Sequence, residues 1–242
     1  MRLKNVLLYP TGTSGSCFYA SEILEHAGCA LIDHPAPEIT HLLLDVPSKE
    51  TTDLYELLRM LPRTITVIGG NLNMAFLQDY RTLDLLEDPY YLTQNAAITA
   101  ECALQAAAPH LHTTFADSPA LILGWGRIGK CLAKLLKSMG CAVTVAARKP
   151  QDRALLEALG YRTADFPEVP KILDHFCILF NTVPDLPFSF NGSCIALDLA
   201  SEPGMAGDSV IPARGLPRKY APESSGKLIA ETILRYRKEG IL

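Results

Sequence analysis

Short apolar runs alternate along this chain with stretches whose apolar residues return every three or four positions. In the first half, Asn5–Pro10 (NVLLYP), Cys29–Pro35 (CALIDHP), His41–Pro47 (HLLLDVP) and Thr64–Gly70 (TITVIGG) read as strands. Between them, Cys17–Gly28 reads as an amphipathic helix closed by its glycine, and Thr51–Leu61 as a helix with Pro62 just past its end. Strands alternating with helices across Gly/Pro turns imply a parallel sheet with helices on both faces. Residues 71–95 are less regular and rich in Leu and Tyr, with a helix expected in their first half.

The second half carries the clearer pattern. Ala96–Ala108 (AAITAECALQAAA) is a helix by propensity and is expected to join two domains. A loop follows from His110, and Pro119 starts the next strand. ALILGWGRIGKCLAKLLKSMGCAVTVAAR then reads as strand, Gly-rich turn, helix and strand. Beyond it come a helix at Gln151–Gly160, a short strand or turn at Tyr161–Phe166, and strands at Phe176–Pro184 and Ser193–Ser201. A long loop covers Glu202–Gly226 and a last helix Gly226–Gly240. The expected architecture is α/β with two domains, each a mostly parallel sheet with helices on both faces. Residues 1–95 form a flavodoxin-like domain and 96–242 a Rossmann dinucleotide-binding domain. Helices 96–108 and 226–240 are expected to be the interdomain hinge, the last one crossing back toward the first domain.

Composition narrows the classes. With 242 residues, the chain is long enough for one large or two ordinary domains, and 48% hydrophobic residues supply a core. A net charge of −4 leaves no basic footprint for nucleic acid. The basic start is followed by an apolar run of about four residues, too short for a signal-peptide core, and no run approaches the roughly 18 apolar residues of a membrane span. A soluble cytoplasmic protein with no membrane partner is therefore expected. The seven cysteines are odd in number and form no CxxC, so reduced, mostly buried thiols are expected, and no metal site.

Gly124, Gly126 and Gly129 form G-x-G-x-x-G between an apolar strand and a helix, the context in which that motif binds dinucleotides. The first glycine permits the tight turn, the second lets backbone approach a pyrophosphate, and the third allows close helix–strand packing. Gly124, Trp125, Gly126, Arg127, Ile128 and Gly129 are therefore candidate cofactor contacts. In such folds an acid at the end of the second strand, roughly 20 residues on, binds the ribose 2′-hydroxyl of NAD. Here Arg148 and Lys149 occupy that end, with no carboxylate before Asp152. A guanidinium suits a 2′-phosphate, so NADP is the expected cofactor and NAD the alternative.

Loops at the carboxyl ends of later strands offer Asn181, Thr182, Pro184, Asp198 and Ser201 as ribose or nicotinamide contacts, or as turn-formers and caps. None of the six histidines falls after His175, so a histidine–carboxylate pair late in the second domain is excluded, and no catalytic residue is assigned. Arg214, Arg218 and Lys219 are candidate clamps for substrate carboxylates, or a solvated basic loop. In the first domain, Thr13 and Ser14, with Thr11 and Ser16, lie between strand and helix, where they would accept an anion or merely cap the helix.

Several segments together resemble the A-subunit family of dipicolinate synthase, an enzyme of spore-forming bacteria. They are ITAECAL, LILGWGRIGKCLAKLLKSMGCAVTVAAR, FNTVP, ALDLASEPG and GLPRKYAPESSGKLIAETIL. They run in order from about Leu92 onward, and HLLLDVP and TVIGG match more loosely. The late loop departs from the family: Arg214 stands at a proline position, Arg218 at a glycine, and Ser224 at a threonine. The resemblance implies NAD(P)-linked oxidation of a cyclic dihydrodipicolinate-type intermediate of the lysine pathway to dipicolinate. It implies a small dicarboxylate substrate, a homo-oligomer and a flavoprotein-like second subunit. Two alternatives stand beside it: a related NADP-dependent dehydrogenase of another small carboxylate, and a non-catalytic dinucleotide-binding sensor or scaffold.

Overall fold

The structure, a computed structural model, describes residues 6–184, 186, 189–202 and 204–242. The expected strand start at Asn5, and Pro203 in the Asp198–Gly204 loop, lie outside them. The chain divides into two compact units, Met1–Asn95 with Pro217–Leu242, and Ala96–Leu216.

The first unit is built on strands β1 (Leu7–Pro10), β2 (Ala30–Leu31), β3 (His41–Leu43), β4 (Thr66–Gly69) and β5 (Arg81–Asp84), all parallel, in the order β2-β1-β3-β4-β5. Helices α1 (Gly15–His26) and α2 (Thr52–Met60) follow β1 and β3, and α3 (Pro89–Ala107) follows β5. One face of the sheet packs Leu42, Val67, Leu58, Leu77 and Tyr80 into a core. The helix expected early in residues 71–95 is absent. Its place holds a single 3₁₀ turn at Ala75–Leu77 and the edge strand β5, and the helix begins only at Pro89. Asp88 fixes that start: its carboxylate accepts from the Tyr91 amide at 2.8 Å.

The second unit contains β6 (Ala120–Leu123), α4 (Arg127–Ser138), β7 (Val143–Ala146), α5 (Pro150–Ala158), β8 (Arg162–Ala164), α6 (Val169–Ile172), β9 (Ile178–Asn181), β10 (Ile195–Asp198) and β11 (Val210–Pro212). Its parallel sheet has the order β11-β10-β9-β6-β7-β8, the doubly wound order of dinucleotide-binding folds. The four residues each of β6, β7 and β9 are buried, as strands covered on both faces must be.

Two elements lie in the stretch read as one long loop: the edge strand β11 and α7 (Leu216–Tyr220). The last helix, α8 (Pro222–Lys238), starts four residues earlier than expected, on a proline in its first turn. The expected second domain ran to the chain end. Residues 217–242 group with the first unit, the side toward which the last helix is expected to cross, and α8 presents Gly226 to α1. A β-carbon there would lie 2.6 Å from the Ser16 carbonyl oxygen and 2.7 Å from Tyr19 Cβ. Arg235 and Tyr236 of α8 also bond the Asp88 carboxylate, the Tyr236 hydroxyl donating at 2.7 Å. No helix among the described residues is long and apolar enough to cross a membrane.

Candidate functional site

The turn from β6 into α4 carries the glycine motif, and its three glycines answer to different constraints. Gly124 has φ +103°, and a β-carbon on it would meet Thr182 Oγ1 at 2.6 Å. At Gly129 a β-carbon would lie 2.3 Å from the Gly124 carbonyl oxygen. Both are required by the protein's own packing. At Gly126 a β-carbon would meet nothing within 4 Å. Gly126 is the N-cap of α4, and no side chain among the described residues caps the free amides there. That is the form of a helix start left for an anionic ligand, and it fits the pyrophosphate of a dinucleotide.

The pocket beside this turn has a volume of about 290 Å³ and is lined by Gly124, Trp125, Gly126, Ala147, Arg148, Lys149, Asp152, Phe166, Thr182, Val183 and Pro184. It lies at the carboxyl ends of β6, β7 and β9, at the switch point of the sheet. Exposed Arg148 and Lys149 stand at its β7 end. Asp152, in the first turn of α5, lines the same pocket. The sequence places it too late for the usual strand-end acid, but the tight β7–α5 connection returns it to the cavity. Trp125 packs edge-on to Tyr161 with 6.0 Å between ring centroids, and its indole N–H is buried with no hydrogen-bond partner among the described residues.

Not every candidate contact lines the pocket. Arg127 is exposed and Ile128 half-buried at the start of α4. Asn181 is fully buried, its amide nitrogen donating to the Val183 carbonyl at 3.0 Å and to Asp198 at 2.8 Å, while its oxygen accepts from the Val183 amide at 3.0 Å. It shapes the turn on which Thr182, Val183 and Pro184 reach the pocket. The Thr182 hydroxyl donates to the Leu123 carbonyl at 2.8 Å, pinning the β9 end to the β6 end. Asp198, 2% exposed, accepts from Asn181, from the Gly204 amide at 3.0 Å and from Arg214 at 3.3 Å. Arg214 also donates through Nε to the Ala200 carbonyl at 3.0 Å. Ser201 is exposed beside this network.

Each of the expected clamps Arg214, Arg218 and Lys219 has its own local surroundings. Arg214 belongs to the second unit and is engaged by Asp198. Arg218 lines a cavity of the first unit. The Lys219 ammonium lies 4.9 Å from the centre of the Tyr220 ring. In the first unit, the turn Thr11–Ser16 does hold an anion, and the anion is the protein's own. Asp45, just past β3, accepts from the Thr13 amide at 3.1 Å, the Ser14 amide at 3.2 Å and the Ser14 hydroxyl. Ser14 Oγ in turn accepts from the Cys17 amide as N-cap of α1. Burial, with the Asp45 charge next, pushes the Cys17 thiol up to about 12. An acid ending an apolar run was the available signal for Asp45, but only the adjacency of β1 and β3 shows what it faces.

These features define a dinucleotide-binding α/β protein. Residues 92–188 match the model of the D-isomer specific 2-hydroxyacid dehydrogenase NAD binding domain, and the second unit is an NAD(P)-binding Rossmann domain. Over 196 residues the chain is 27% identical to the A subunit of dipicolinate synthase from Bacillus subtilis (strain 168), a match spanning 72% of this chain and 65% of that protein. The crystal structure of the A subunit of dipicolinate synthase from Bacillus halodurans superposes with a TM-score of 0.83 at 19% identity, covering 97% of this chain and 98% of that one. The transhydrogenase of Sinorhizobium meliloti shares the fold with a TM-score of 0.70 at 12% identity, over 98% of this chain and 85% of that one. The chain is a protein like the A subunit of dipicolinate synthase, with a 2-hydroxyacid dehydrogenase-type NAD-binding domain.

Proposed function

We propose that this protein is an NAD(P)-linked oxidoreductase that converts a cyclic dihydrodipicolinate-type acid to dipicolinate, working with a second subunit. The observation that carries the redox reading is the start of α4 at Gly126, which no described side chain caps and where an added β-carbon would meet no described atom within 4 Å. The similarity to the A subunit of dipicolinate synthase supports the substrate class.

The bound nicotinamide would supply the hydride acceptor. The dihydropyridine ring gives up a hydride and a proton, and the product becomes aromatic. That driving force leaves the protein chiefly the work of positioning, which agrees with the lack of a late histidine. Gly126 would admit the pyrophosphate at the α4 amides, on the tight turn that Gly124 permits. Thr182, Val183 and Pro184, held by Asn181, would shape the wall of the pocket. At the adenosine end Arg148 and Lys149 favour a 2′-phosphate, while Asp152 offers an acceptor to a 2′-hydroxyl. NADP is the preferred cofactor on the count of two cations against one acid.

Titration with each dinucleotide, followed by the fluorescence of Trp125, the single tryptophan, tests this, with calorimetry as a check. NADP is expected to bind at least tenfold more tightly than NAD, about 1.4 kcal/mol. Arg148→Ala should erase that difference, and Asp152→Asn should weaken NAD alone. Equal or tighter NAD binding in the wild type would assign the pocket to NAD through Asp152. Binding of neither would remove the redox reading. Turnover is then read as NAD(P)H formation with the dihydropyridine substrate.

A further inference from the structure

The edge of the second sheet opposite the dinucleotide pocket collects cysteines. Cys141, Cys177 and Cys194 stand one or two residues before β7, β9 and β10. All three are free thiols, Cys177 exposed and the other two buried. The proposed dehydrogenation uses none of them.

Strand register decides which of them can meet. Ile195 of β10 pairs with Ile178 of β9, and the Ile195 amide donates to the Cys177 carbonyl at 3.0 Å. Cys194 and Cys177 are therefore lateral neighbours at the start of adjacent parallel strands. Such neighbours lie about 4.8 Å apart, inside the roughly 4.4–6.8 Å between α-carbons that a disulfide spans. They also share a face. Two residues on, Ala196 pairs with Leu179, and both belong to the core cluster that includes Cys194. The strand period of two carries Cys177 to the rim of that face. Cys141 is farther away. Ala120 of β6 pairs with Val143 of β7 on one side and with Ile178 of β9 on the other. Two strand spacings, about 9.6 Å, thus separate Cys141 from Cys177, beyond the roughly 7 Å limit for a bridge. The Cys141 thiol is also engaged, donating to the Ser118 carbonyl at 3.2 Å.

We propose that Cys177 and Cys194 form a reversible disulfide, a redox-responsive clasp between β9 and β10 that is separate from the dinucleotide pocket. The oxidant is a small organic disulfide, for which oxidised glutathione is the probe. Exposed Cys177 reacts first, as a thiolate attacking one glutathione sulfur. The glutathione S–S bond breaks, and one glutathione thiolate leaves and takes a proton from water. Cys194 then gives its proton to water and attacks the Cys177 sulfur, expelling the second glutathione. Two protein thiols are oxidised and one glutathione disulfide is reduced to two thiols. Burial pushes the Cys194 thiol up to about 11, and the charges of nearby Cys177 and Asp174 add to that, so the closing step should quicken as pH rises. The clasp closes residues 178–193 into a loop, which restricts the unfolded chain.

The full-length protein is incubated with oxidised glutathione, alkylated, digested without reductant and mapped by mass spectrometry. Monomeric protein should yield a peptide pair linked through Cys177 and Cys194, which dithiothreitol separates. Oxidation should raise the thermal midpoint by roughly 5 °C, and reduction should reverse it. Cys177→Ser should abolish that rise, and Cys194→Ala should leave glutathione trapped on Cys177. If Cys194→Ala does not fold, the wild-type map alone decides. Glutathione retained on wild-type Cys177, a bridge from Cys177 to Cys141 or to a second copy of the chain, or no reaction at all would each overturn the clasp. None of these outcomes depends on which dinucleotide the protein binds.

Discussion

The two halves of this protein place the same device, a turn between a first strand and a first helix at a sheet's switch point, and finish it differently. In the first unit, Thr11–Ser16 leads into α1, Ser14 caps the helix, and Asp45 from the neighbouring strand end fills the amides. In the second, Gly124–Gly129 leads into α4, no side chain caps it, and Gly126 leaves the approach clear. A helix start draws an anion in either case. Whether that anion is structural or a ligand depends on whether a neighbouring strand brings a carboxylate to it.

This contrast breaks most sharply at the glycines. Gly129→Ala forces a methyl against the Gly124 carbonyl and should cost on the order of 3 kcal/mol, read as a fall in the urea midpoint or loss of soluble protein. Gly126→Ala should cost only about 1 kcal/mol as a poorer N-cap, while dinucleotide affinity falls at least tenfold. Equal stability losses in the two variants would mean that Gly126 is a packing glycine too.

The filled turn yields a smaller effect. Asp45→Ala strands two amides and a hydroxyl at a partly open site, so a loss of about 1–3 kcal/mol is expected, with dinucleotide affinity unchanged. It should also lower the Cys17 thiol pKa from about 12, since the Asp45 charge raises it next after burial. The pH dependence of Cys17 alkylation measures this. An unchanged profile would mean that Asp45 does not act on α1 as described.

The smallest effect concerns how α8 is held to the first unit. Burial alone would raise the Asp88 carboxyl, but bonds from the Tyr91 amide, the Tyr236 hydroxyl and Arg235 outweigh it and hold the pKa low. A carboxyl lowered in the folded state stabilises fully above its unfolded value, near pH 4, and loses that contribution as pH falls through the folded value. Tyr236→Phe removes one of the three donors. It should cost about 1 kcal/mol at neutral pH and give a shallower fall in stability toward pH about 3. A steeper acid fall would contradict the Asp88 assignment.

Much of the fold was legible because its strands are either buried runs or cleanly bounded. β6, β7 and β9 are buried throughout, and each ends at a Gly, Pro or polar turn. Those missed, β5 and β11, are edge strands of four and three residues with no fully buried position. Strand pairing defines them, and pairing leaves no hydrophobic period behind. Candidate site residues fared likewise. Gly124, Trp125, Gly126, Arg148, Lys149, Thr182 and Pro184 line the pocket because the motif itself specifies strand, turn and helix. Asn181 and Asp198 stay open between ligand contact and turn-former in the sequence, because polar residues at strand ends have the same appearance whether they face a cavity or a neighbouring loop. Asp84 repeats this: it closes β5 by accepting from the Asn71 and Leu72 amides at 3.1 and 2.7 Å.

The sequence by itself determined the alternation of strand and helix, the Gly-rich turn and the basic residues after β7, since each is a local consequence of spacing and backbone freedom. Only the tertiary structure decided that Asp45 occupies the first anion site, that Asp152 reaches the dinucleotide pocket, that Arg214 serves Asp198 while Arg218 faces a cavity, and that Gly226 is where α8 meets α1. Those outcomes turn on which strand ends become neighbours. The sheet order that makes them so is set by packing between residues far apart in the chain.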